Sequence, residues 1–214
     1  MQSLNKTKTA SISDAFAYSM TKFFRLIADS FFSKRYGHRA VVLETVAGVP
    51  GMVAGVWMHF KSLRAMKAGY GEQIREMLAE AENERMHLFI FMQMRNPGIL
   101  IRSSIAIGQA VFLIYFNTAY FISPKFAHRL VGYIEEEAVH TYTLLIKSLD
   151  DGNLKQWEYM KAPSEAIHYY GLDEETATMR DVFLSVRADE AVHRSINHHF
   201  SDIPQYYDVH NDWV

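Results

Sequence analysis

The chain has 214 residues, a length typical of one domain with at most a short appendage. Its residues are 49% hydrophobic and 14% aromatic, so it can bury a full core and is not intrinsically disordered. A formal net charge of −2 argues against general nucleic-acid binding, which needs a concentrated basic face. The absence of cysteine excludes disulfides, Cys-type zinc sites, thiol catalysis and Cys-ligated iron–sulfur clusters. The acidic residues and histidines, 24 and 10 in number, suit a hard or borderline metal ion.

The first ten residues are polar, with two lysines and no apolar core, and do not resemble a signal peptide. Their one serine and two threonines, without any acidic residue, would also fit a short mitochondrial transit peptide, but helical periodicity starts almost at once. We therefore expect a single domain over 1–214, with a flexible N-terminal arm at 1–12 and a C-terminal tail at 200–214.

Apolar residues recur at helical spacing almost throughout, and strand-like alternation is absent. The first helix is predicted to begin near Phe16 and to end at Tyr36-Gly37. Ser123-Pro124 reads as an N-cap followed by proline at the first helical position. The other predicted helices cover 39–67 (with a kink at Pro50), 72–95, 99–122, 124–149, a short segment after Pro163, and 176–199. The sequence predicts an all-α protein.

The fourth predicted helix carries no charged residue from Ser103 to Pro124, a length that can span a bilayer. Its serine, glutamine, asparagine and threonine side chains are also compatible with a buried core helix. A third interpretation places it in one leaflet, beside the basic amphipathic first helix. We favour the third, which predicts two additional apolar or amphipathic helices at a membrane interface.

Four Glu-x-x-His pairs each place a carboxylate and an imidazole one turn apart on the same helical face. They are Glu84/His87, Glu137/His140, Glu165/His168 and Glu190/His193. Bundles that bind two iron or two manganese ions use two such pairs and one further Glu from each of two other helices. Some of the four pairs are therefore expected to occur by chance and not to bind metal. The pair after Pro163, Glu165/His168, is expected at the surface.

Spacing along the chain favours one selection of these residues. Side chains at the same depth in adjacent antiparallel helices lie equally far from the connecting turn. The midpoint in sequence between Glu44 and Glu84 is residue 64, near the predicted turn at 68–71. The midpoint between Glu135 and Glu190 lies near Pro163. The fourth helix then becomes the long crossover of a ferritin-like four-helix bundle.

Some assignments stay open on spacing alone. Glu135 and Glu137 point to nearly opposite sides of a helix, so only one of them can bind metal. Glu44 lies in an apolar run, where a salt-bridged structural acid is the alternative to a ligand. His198 and His199 are expected to be exposed.

Four ordered segments resemble the signature motifs of the alternative oxidases, which are cyanide-insensitive, non-haem di-iron ubiquinol oxidases. They are Leu43-Glu44-Thr45, Asn83-Glu84-Arg85-Met86-His87-Leu88, Glu135-Glu136-Glu137-Ala138 and Arg187-Ala188-Asp189-Glu190-Ala191-x-His193. The resemblance runs from about residue 25 to 202. It implies two iron ions held by Glu44, Glu84, His87, Glu135, Glu190 and His193. Departures from the family pattern are Ile134 in place of Leu and Tyr170 in place of Trp.

Three further residues are predicted beside the metal ligands. Asn83 and Asp189 each precede a ligand Glu, and such groups accept or orient the second N–H of a bound imidazole. Tyr142 lies two turns after Glu135 on the same face. The resemblance implies a redox-active tyrosine near dioxygen there, with a core tyrosine as the alternative.

The resemblance also implies a quinol cavity, with Glu137 on the quinol side of its helix. Its residues are Arg25, Arg39, Leu43, Glu137, Ala138 and Thr141. An apolar slot that ends in an arginine, a hydroxyl and a carboxylate suits a quinone. A helical salt bridge between Arg25 and Asp29 and a lipid-headgroup contact for Arg39 are the competing interpretations.

The sequence therefore predicts an enzyme that oxidises ubiquinol and reduces dioxygen to water without pumping protons. Expected partners are ubiquinol, dioxygen, the lipid of one leaflet and a second copy of the chain, but no nucleic acid. We expect a monotopic protein on the cytoplasmic face of a bacterial inner membrane, with the matrix face of the mitochondrial inner membrane as the alternative. Other possible functions are a plastoquinol oxidase, a desaturase or hydroxylase, a non-catalytic iron-binding protein, or a metal-free structural membrane module. The ligand set alone does not decide between iron and manganese.

Overall fold

A computed structural model describes residues 9, 11–32, 36–94 and 98–203. Within these residues the chain forms seven α-helices and no β-strand. The helices are α1 (Ile12–Phe32), α2 (Tyr36–Ala65), α3 (Gly71–Met94), α4 (Ile99–Ile122), α5 (Pro124–Asp150), α6 (Ser164–Tyr170) and α7 (Met179–Asp202). The predicted all-α class is confirmed. Most of the predicted N-terminal arm and C-terminal tail lies outside the described residues.

The helix ends differ from the predicted ones at several points. Tyr36 begins α2 instead of ending α1, so the prediction of a stop at Tyr36-Gly37 is wrong. Glycine destabilises a helix mainly in its middle, so Gly37 is compatible with the first turn of α2. The predicted cap of α5 is confirmed, since Ser123 Oγ accepts a hydrogen bond from the Phe126 N–H at 3.1 Å. Helix α2 continues through Pro50.

Helices α2 and α3 form an antiparallel pair whose backbones lie unusually close. A Cβ atom added to Gly51 would lie 2.6 Å from the backbone oxygen of Met77, and one added to Gly48 would lie 3.1 Å from the oxygen of Ala81. The absence of side chains at these glycines lets the two helices approach. The pair brings Glu44 on α2 opposite Glu84 on α3.

Helices α5 and α7 form the second antiparallel pair, and α4 connects the two pairs. Helix α4 runs alongside α2 in the same direction. Gln109 Nε2 donates to the Thr45 backbone oxygen at 2.9 Å, and further along Trp57 Nε1 donates to Asn117 Oδ1 at 3.0 Å. This long connection makes α2, α3, α5 and α7 a ferritin-like bundle, as predicted.

The bundle core has two apolar regions with a polar layer between them. On α3, buried Met77 belongs to one region and buried Ile90 to the other, and Glu84 and His87 lie between them. The same order recurs on α2, α5 and α7. The six predicted ligands therefore lie at one level of the bundle, midway along its length.

Two stretches of the described chain, 39–65 and 101–122, are long and apolar enough to cross a membrane by length and composition alone. The first belongs to α2 and is half buried within the bundle, whereas only 17% of the second, in α4, is buried. The exposed apolar side chains of α1 and α4 include Phe16, Phe23, Leu26, Phe31, Ile107, Val111, Ile114, Phe121 and Ile122. Both helices thus present apolar surface to the outside, which fits the two additional interfacial helices of the predicted fold.

Candidate metal centre

The six predicted ligands lie together in the polar layer as two overlapping groups of four. Glu44, Glu84, His87 and Glu190 form the first group. Glu84, Glu135, Glu190 and His193 form the second group. In each group the potential ligand atoms all lie within 4.8 Å of one another, and every residue is buried. Glu84 and Glu190 belong to both groups, so the arrangement offers two neighbouring positions with two shared carboxylates.

Both histidines present Nδ1 to the carboxylates. His193 Nδ1 lies 2.9 Å from Glu84 Oε1 and 3.3 Å from Glu190 Oε2. His87 Nδ1 lies 3.5 Å from Glu84 Oε2 and 3.6 Å from Glu44 Oε2. The Nδ1 atoms of both histidines therefore face the centre of the cluster, as expected of ligands to a pair of metal ions.

The buried donor atoms of this cluster fit a pair of metal ions. Six side-chain atoms of the cluster are buried without a hydrogen-bond partner in the described chain. They are Glu44 Oε2, Glu84 Oε1 and Oε2, Glu190 Oε2, His87 Nδ1 and His193 Nδ1. Unsatisfied buried polar atoms are costly and need an explanation. Burial, and then repulsion from neighbouring carboxylates, raises the pKa of Glu44 and of Glu135. Two divalent cations would satisfy the free donor atoms and neutralise this charge.

Asp189 holds His87 from the side that faces away from the cluster. Its Oδ2 lies 3.1 Å from His87 Nε2 and accepts hydrogen bonds from Asn83 Nδ2 at 2.9 Å and Tyr170 OH at 2.7 Å. Asn83 Nδ2 also donates to Tyr169 OH at 2.8 Å. Both predicted orienting residues thus act on one histidine, and sequence reasoning did not foresee the contacts of the two tyrosines.

Tyr142 lies at the edge of the cluster. Its phenol donates a hydrogen bond to Glu44 Oε1 at 2.8 Å, and its ring stacks on Phe91 with the ring centroids 6.1 Å apart. Burial, and then the nearby Glu44 carboxylate, raises the pKa of the phenol well above its usual value. Tyr142 is therefore a protonated hydrogen-bond donor beside the candidate metal positions.

A cavity of about 180 Å³ lies directly beside the cluster. It is lined by all six predicted quinol residues: Arg25, Arg39, Leu43, Glu137, Ala138 and Thr141. Four of the predicted ligands, together with Tyr142, also line it: Glu44, Glu84, Glu135 and Glu190. A ligand in this cavity would contact α1, α2 and α5 and reach the carboxylates of the cluster.

Glu137 is part of an ion-pair network in the cavity wall. Burial disfavours its ionised form, but hydrogen bonds from Lys22 and Arg25 hold the pKa of Glu137 below its ordinary value. Arg25 Nε also lies 3.5 Å from Asp29 Oδ2, and Asp29 accepts a hydrogen bond from Arg39. Arg25 therefore makes both the predicted helical salt bridge and a contact with the cavity carboxylate. Sequence reasoning missed Lys22 and the bond between Asp29 and Arg39.

Two of the four Glu-x-x-His pairs lie outside the cluster. Glu137 faces the cavity instead of the cluster. The pair at Glu165 and His168 lies on α6, where Glu165 accepts a hydrogen bond from Gln93 and His168 is exposed. The expected exposure of His198 is wrong, because the residue is only 8% exposed and its Nδ1 lies 2.9 Å from Arg129 Nη1. The last turns of α7 pack on α5 instead of extending into solvent.

A helical bundle with two carboxylate–histidine quartets at mid-depth defines the class of ferritin-like carboxylate metal proteins. The family model of the alternative oxidases matches residues 1–202, and the chain belongs to this family.

The chain is also similar to curated relatives with informative names. It is 51% identical over 194 residues to "Ubiquinol oxidase 1c, mitochondrial" of Arabidopsis thaliana, covering 91% of this chain and 57% of the relative. It is 51% identical over 192 residues to "Ubiquinol oxidase, mitochondrial" of Batrachochytrium dendrobatidis, covering 90% and 59%. Identity to "Ubiquinol oxidase 2, mitochondrial" of Nicotiana tabacum is 50% over 190 residues, covering 89% and 62%. The chain thus spans a little over half the length of these relatives.

Proposed function

We propose that this chain is a ubiquinol oxidase, which oxidises ubiquinol and reduces dioxygen to water at a di-iron carboxylate centre. The observation that carries the proposal is the cavity of about 180 Å³, whose wall contains both the predicted quinol residues and four of the six predicted ligands. Membership of the alternative oxidase family and the names of the relatives support the same substrate. Two ubiquinols supply the four electrons and four protons that convert one dioxygen into two waters.

The six residues of the two quartets are proposed to hold the ions. Glu44 and His87 would hold one ion and Glu135 and His193 the other, and Glu84 and Glu190, which belong to both quartets, would contribute to each position. Iron at these positions would supply the reversible electron transfer that carboxylate and imidazole side chains lack. Asp189 fixes the tautomer and the orientation of His87, since a hydrogen bond to the outer ring nitrogen directs the inner one toward the cluster.

The remaining residues are proposed to position ubiquinol and handle its protons. The apolar wall around Leu43 and Ala138 accommodates the quinol ring, and the guanidinium groups of Arg25 and Arg39 offer donors to its oxygens. Glu137 is an ionised carboxylate in the same wall and is proposed to accept a hydroxyl proton. On the cluster side, Tyr142 is the proposed redox-active residue, within hydrogen-bond distance of Glu44.

The chain is proposed to lie in one leaflet through the apolar surfaces of α1 and α4. Because α4 runs alongside α2, a bilayer crossed by α4 would also enclose α2 and its buried Glu44. Insertion into one leaflet avoids this cost and brings the cavity lined by α1 residues close to lipid-dissolved ubiquinol. The bacterial cytoplasmic face stays a prediction, and the relatives above are named as mitochondrial.

A homodimer is also proposed, through the outer faces of α2 and α3. These faces carry apolar side chains that are exposed to a large extent: Val56, Phe60, Leu63, Leu78 and Phe89. Exposed apolar patches of this kind commonly mark an association surface. Sedimentation of the detergent-purified protein tests the dimer.

Oxygen uptake by the purified protein in lipid, driven by ubiquinol in the presence of cyanide, tests the activity. We expect Glu135→Ala to lose bound iron, whereas Glu137→Ala keeps about two irons per chain and loses quinol oxidation. Uptake that requires a fatty-acyl substrate instead of ubiquinol would indicate a desaturase or hydroxylase. A wild-type protein with far less than two irons per chain, or with manganese in their place, would overturn the proposed centre.

A further inference from the structure

A second set of buried polar residues continues from the His193 side of the cluster toward α4. Asn197 lies one turn after His193 on α7 and is 1% exposed. Its Nδ2 donates to Glu80 Oε2 at 2.7 Å and to the His193 backbone oxygen at 3.0 Å. Glu80 lies one turn before the shared ligand Glu84 on α3. Asn197 thus connects the two helices that contribute ligands to both metal positions.

The other end of the Asn197 amide is held by a buried histidine. Asn197 Oδ1 lies 3.0 Å from His128 Nδ1, and His128 Nε2 lies 2.9 Å from Tyr120 OH. All three side chains are buried. A chain of hydrogen bonds therefore runs through the protein interior from α4 to the cluster. It passes from Tyr120 to His128, then to Asn197 and Glu80.

The direction of each hydrogen bond in this set is fixed by the groups that take part. A carbonyl oxygen only accepts, so His128 must donate from Nδ1 to Asn197. The Nε2 atom of a neutral imidazole then accepts, and the Tyr120 phenol donates to it. Burial lowers the pKa of His128 to about 4, so the ring is neutral at neutral pH. Because Asn197 Oδ1 accepts the hydrogen bond from His128, the Asn197 NH2 group donates one proton to Glu80 and the other to the His193 carbonyl.

We propose that Tyr120, His128 and Asn197 are positioning residues that set the geometry of the metal position at Glu135 and His193. This inference rests on the proposed function, because it needs metal ions in the cluster. On the opposite side, Asp189 orients His87 directly. The Tyr120–His128–Asn197 set is the counterpart for His193 and acts on the backbone of its helical turn and on the adjacent Glu80 carboxylate.

Tyr120 acts at a distance by holding His128. Without the phenol, the imidazole ring loses one of its two hydrogen bonds, and the buried Nε2 lone pair has no donor. A less constrained ring holds Asn197 Oδ1 less firmly, which loosens the hydrogen bonds from the amide to Glu80 and to the His193 carbonyl. Loss of outer hydrogen-bond partners of this kind typically lowers metal affinity 10- to 100-fold.

The test compares Tyr120→Phe with Tyr115→Phe. Tyr115 is a partly buried tyrosine of the same helix, in the same apolar cluster, and its ring contacts Phe24 and Phe116. Each substitution removes one phenol oxygen. The iron-loaded, reduced protein is mixed with a ferrous chelator, and the release of its two irons is followed with time. ⁵⁷Fe Mössbauer spectra report the environment of each iron.

We expect Tyr120→Phe to release one of the two irons about tenfold faster than wild type and to alter one of the two Mössbauer signals. Tyr115→Phe should match wild type. Asn197→Asp, which keeps the volume but sets a second carboxylate against Glu80, should show a larger effect on the same iron. Unfolding temperatures measured alongside separate this effect from a general loss of stability.

Three results would overturn the inference. They are unchanged iron release in Tyr120→Phe, equal acceleration of both irons, or failure of both Tyr120→Phe and Asn197→Asp to fold. Each of these leaves the proposed function intact, provided that the wild-type protein binds two irons. A wild-type protein without two irons would instead remove the proposed function and, with it, this inference.

Discussion

The Tyr142 phenol donates a hydrogen bond to Glu44 Oε1 at 2.8 Å and thereby links α5 to α2 across the bundle. Glu44 belongs to only one of the two quartets, the one that contains His87. The phenol is therefore directed at one metal position and not at the other. The two positions differ in their surroundings, since His87 is held by Asp189 and the His193 side by Asn197.

Tyr142→Phe should reduce quinol-dependent oxygen uptake by about 100-fold, the lower end of the range for losing a positioned proton donor. The phenyl ring preserves the stacking on Phe91, and Glu44 keeps its place in the cluster, so iron content should stay near two per chain. Oxygen uptake and metal analysis on the same preparation measure both effects. Activity within twofold of wild type would show that Tyr142 is a core tyrosine without a catalytic role.

Asp189→Asn should weaken iron binding by about 10- to 100-fold, the usual effect of losing the outer partner of a metal-bound histidine. The substitution keeps the volume but removes the negative charge opposite His87 Nε2. Competition with a ferrous chelator measures the affinity. Asp150→Asn is the matched control, because Asp150 is an exposed partner of Arg180 remote from the cluster, and it should leave iron binding unchanged.

Gly51→Ala should destabilise the protein by about 1–3 kcal/mol, as overpacked sites do. The added Cβ would lie 2.6 Å from the Met77 backbone oxygen, so α2 and α3 must move apart and separate Glu44 from Glu84. Thermal unfolding and iron content measure the two consequences. Gly98→Ala serves as the control, since an added Cβ there meets no atom within 4 Å; equal stability of the two variants would contradict the close approach of the helices.

The contribution of Glu137 to stability should depend on pH in the acidic range. Its folded pKa is depressed by Lys22 and Arg25 against the cost of burial, so the unfolded chain takes up this proton first as the pH falls below about 4.5. The stabilisation is present above that pH and is lost as the pH falls further. Unfolding temperatures of wild type and Glu137→Gln should differ at pH 7 and converge as the pH is lowered further and further below about 4.5. A constant difference across this range would exclude the ion pairs as its source.

His128 should remain neutral well below its ordinary titration range. Burial lowers its folded pKa to about 4, so between about pH 6.5 and 4 only the unfolded state takes up the proton. Stability therefore falls as the pH decreases through this window and is fully present above it. In spectra of ¹³C-histidine-labelled protein, the signal assigned through His128→Gln should not shift between pH 8 and 5.5. Titration of this signal near pH 6.5 would contradict the buried neutral ring.

Four of the six predicted ligands could be chosen from local spacing, because Glu84/His87 and Glu190/His193 are each a pair within one helix. Glu84 and His87 lie one turn apart on the same helical face. The number of residues between each ligand and the turn that connects its helix to the next then sets the depth of that ligand along the bundle. The spacing could not choose between Glu135 and Glu137, because that choice depends on the rotation of α5 about its axis. The family resemblance favoured Glu135, and the structure places that residue in the cluster.

The residues that escaped prediction make contacts between helices that are distant in sequence. Lys22 and Glu137 are separated by 115 positions, and nothing local marks them as partners. Glu80 and Asn197 did carry a signal, since each lies one turn from a predicted ligand on the same helical face. His198 looked like a solvent-exposed end residue because its partner Arg129 is 69 positions away.

The two shared carboxylates also constrain how the molecule matures. The hairpin of α2 and α3 carries only Glu44, Glu84 and His87, and that of α5 and α7 only Glu135, Glu190 and His193. Neither half of the bundle carries a complete quartet, so both positions are complete only after the two halves have docked. Metal ions bound there would connect the two halves and couple metal binding to the last step of folding.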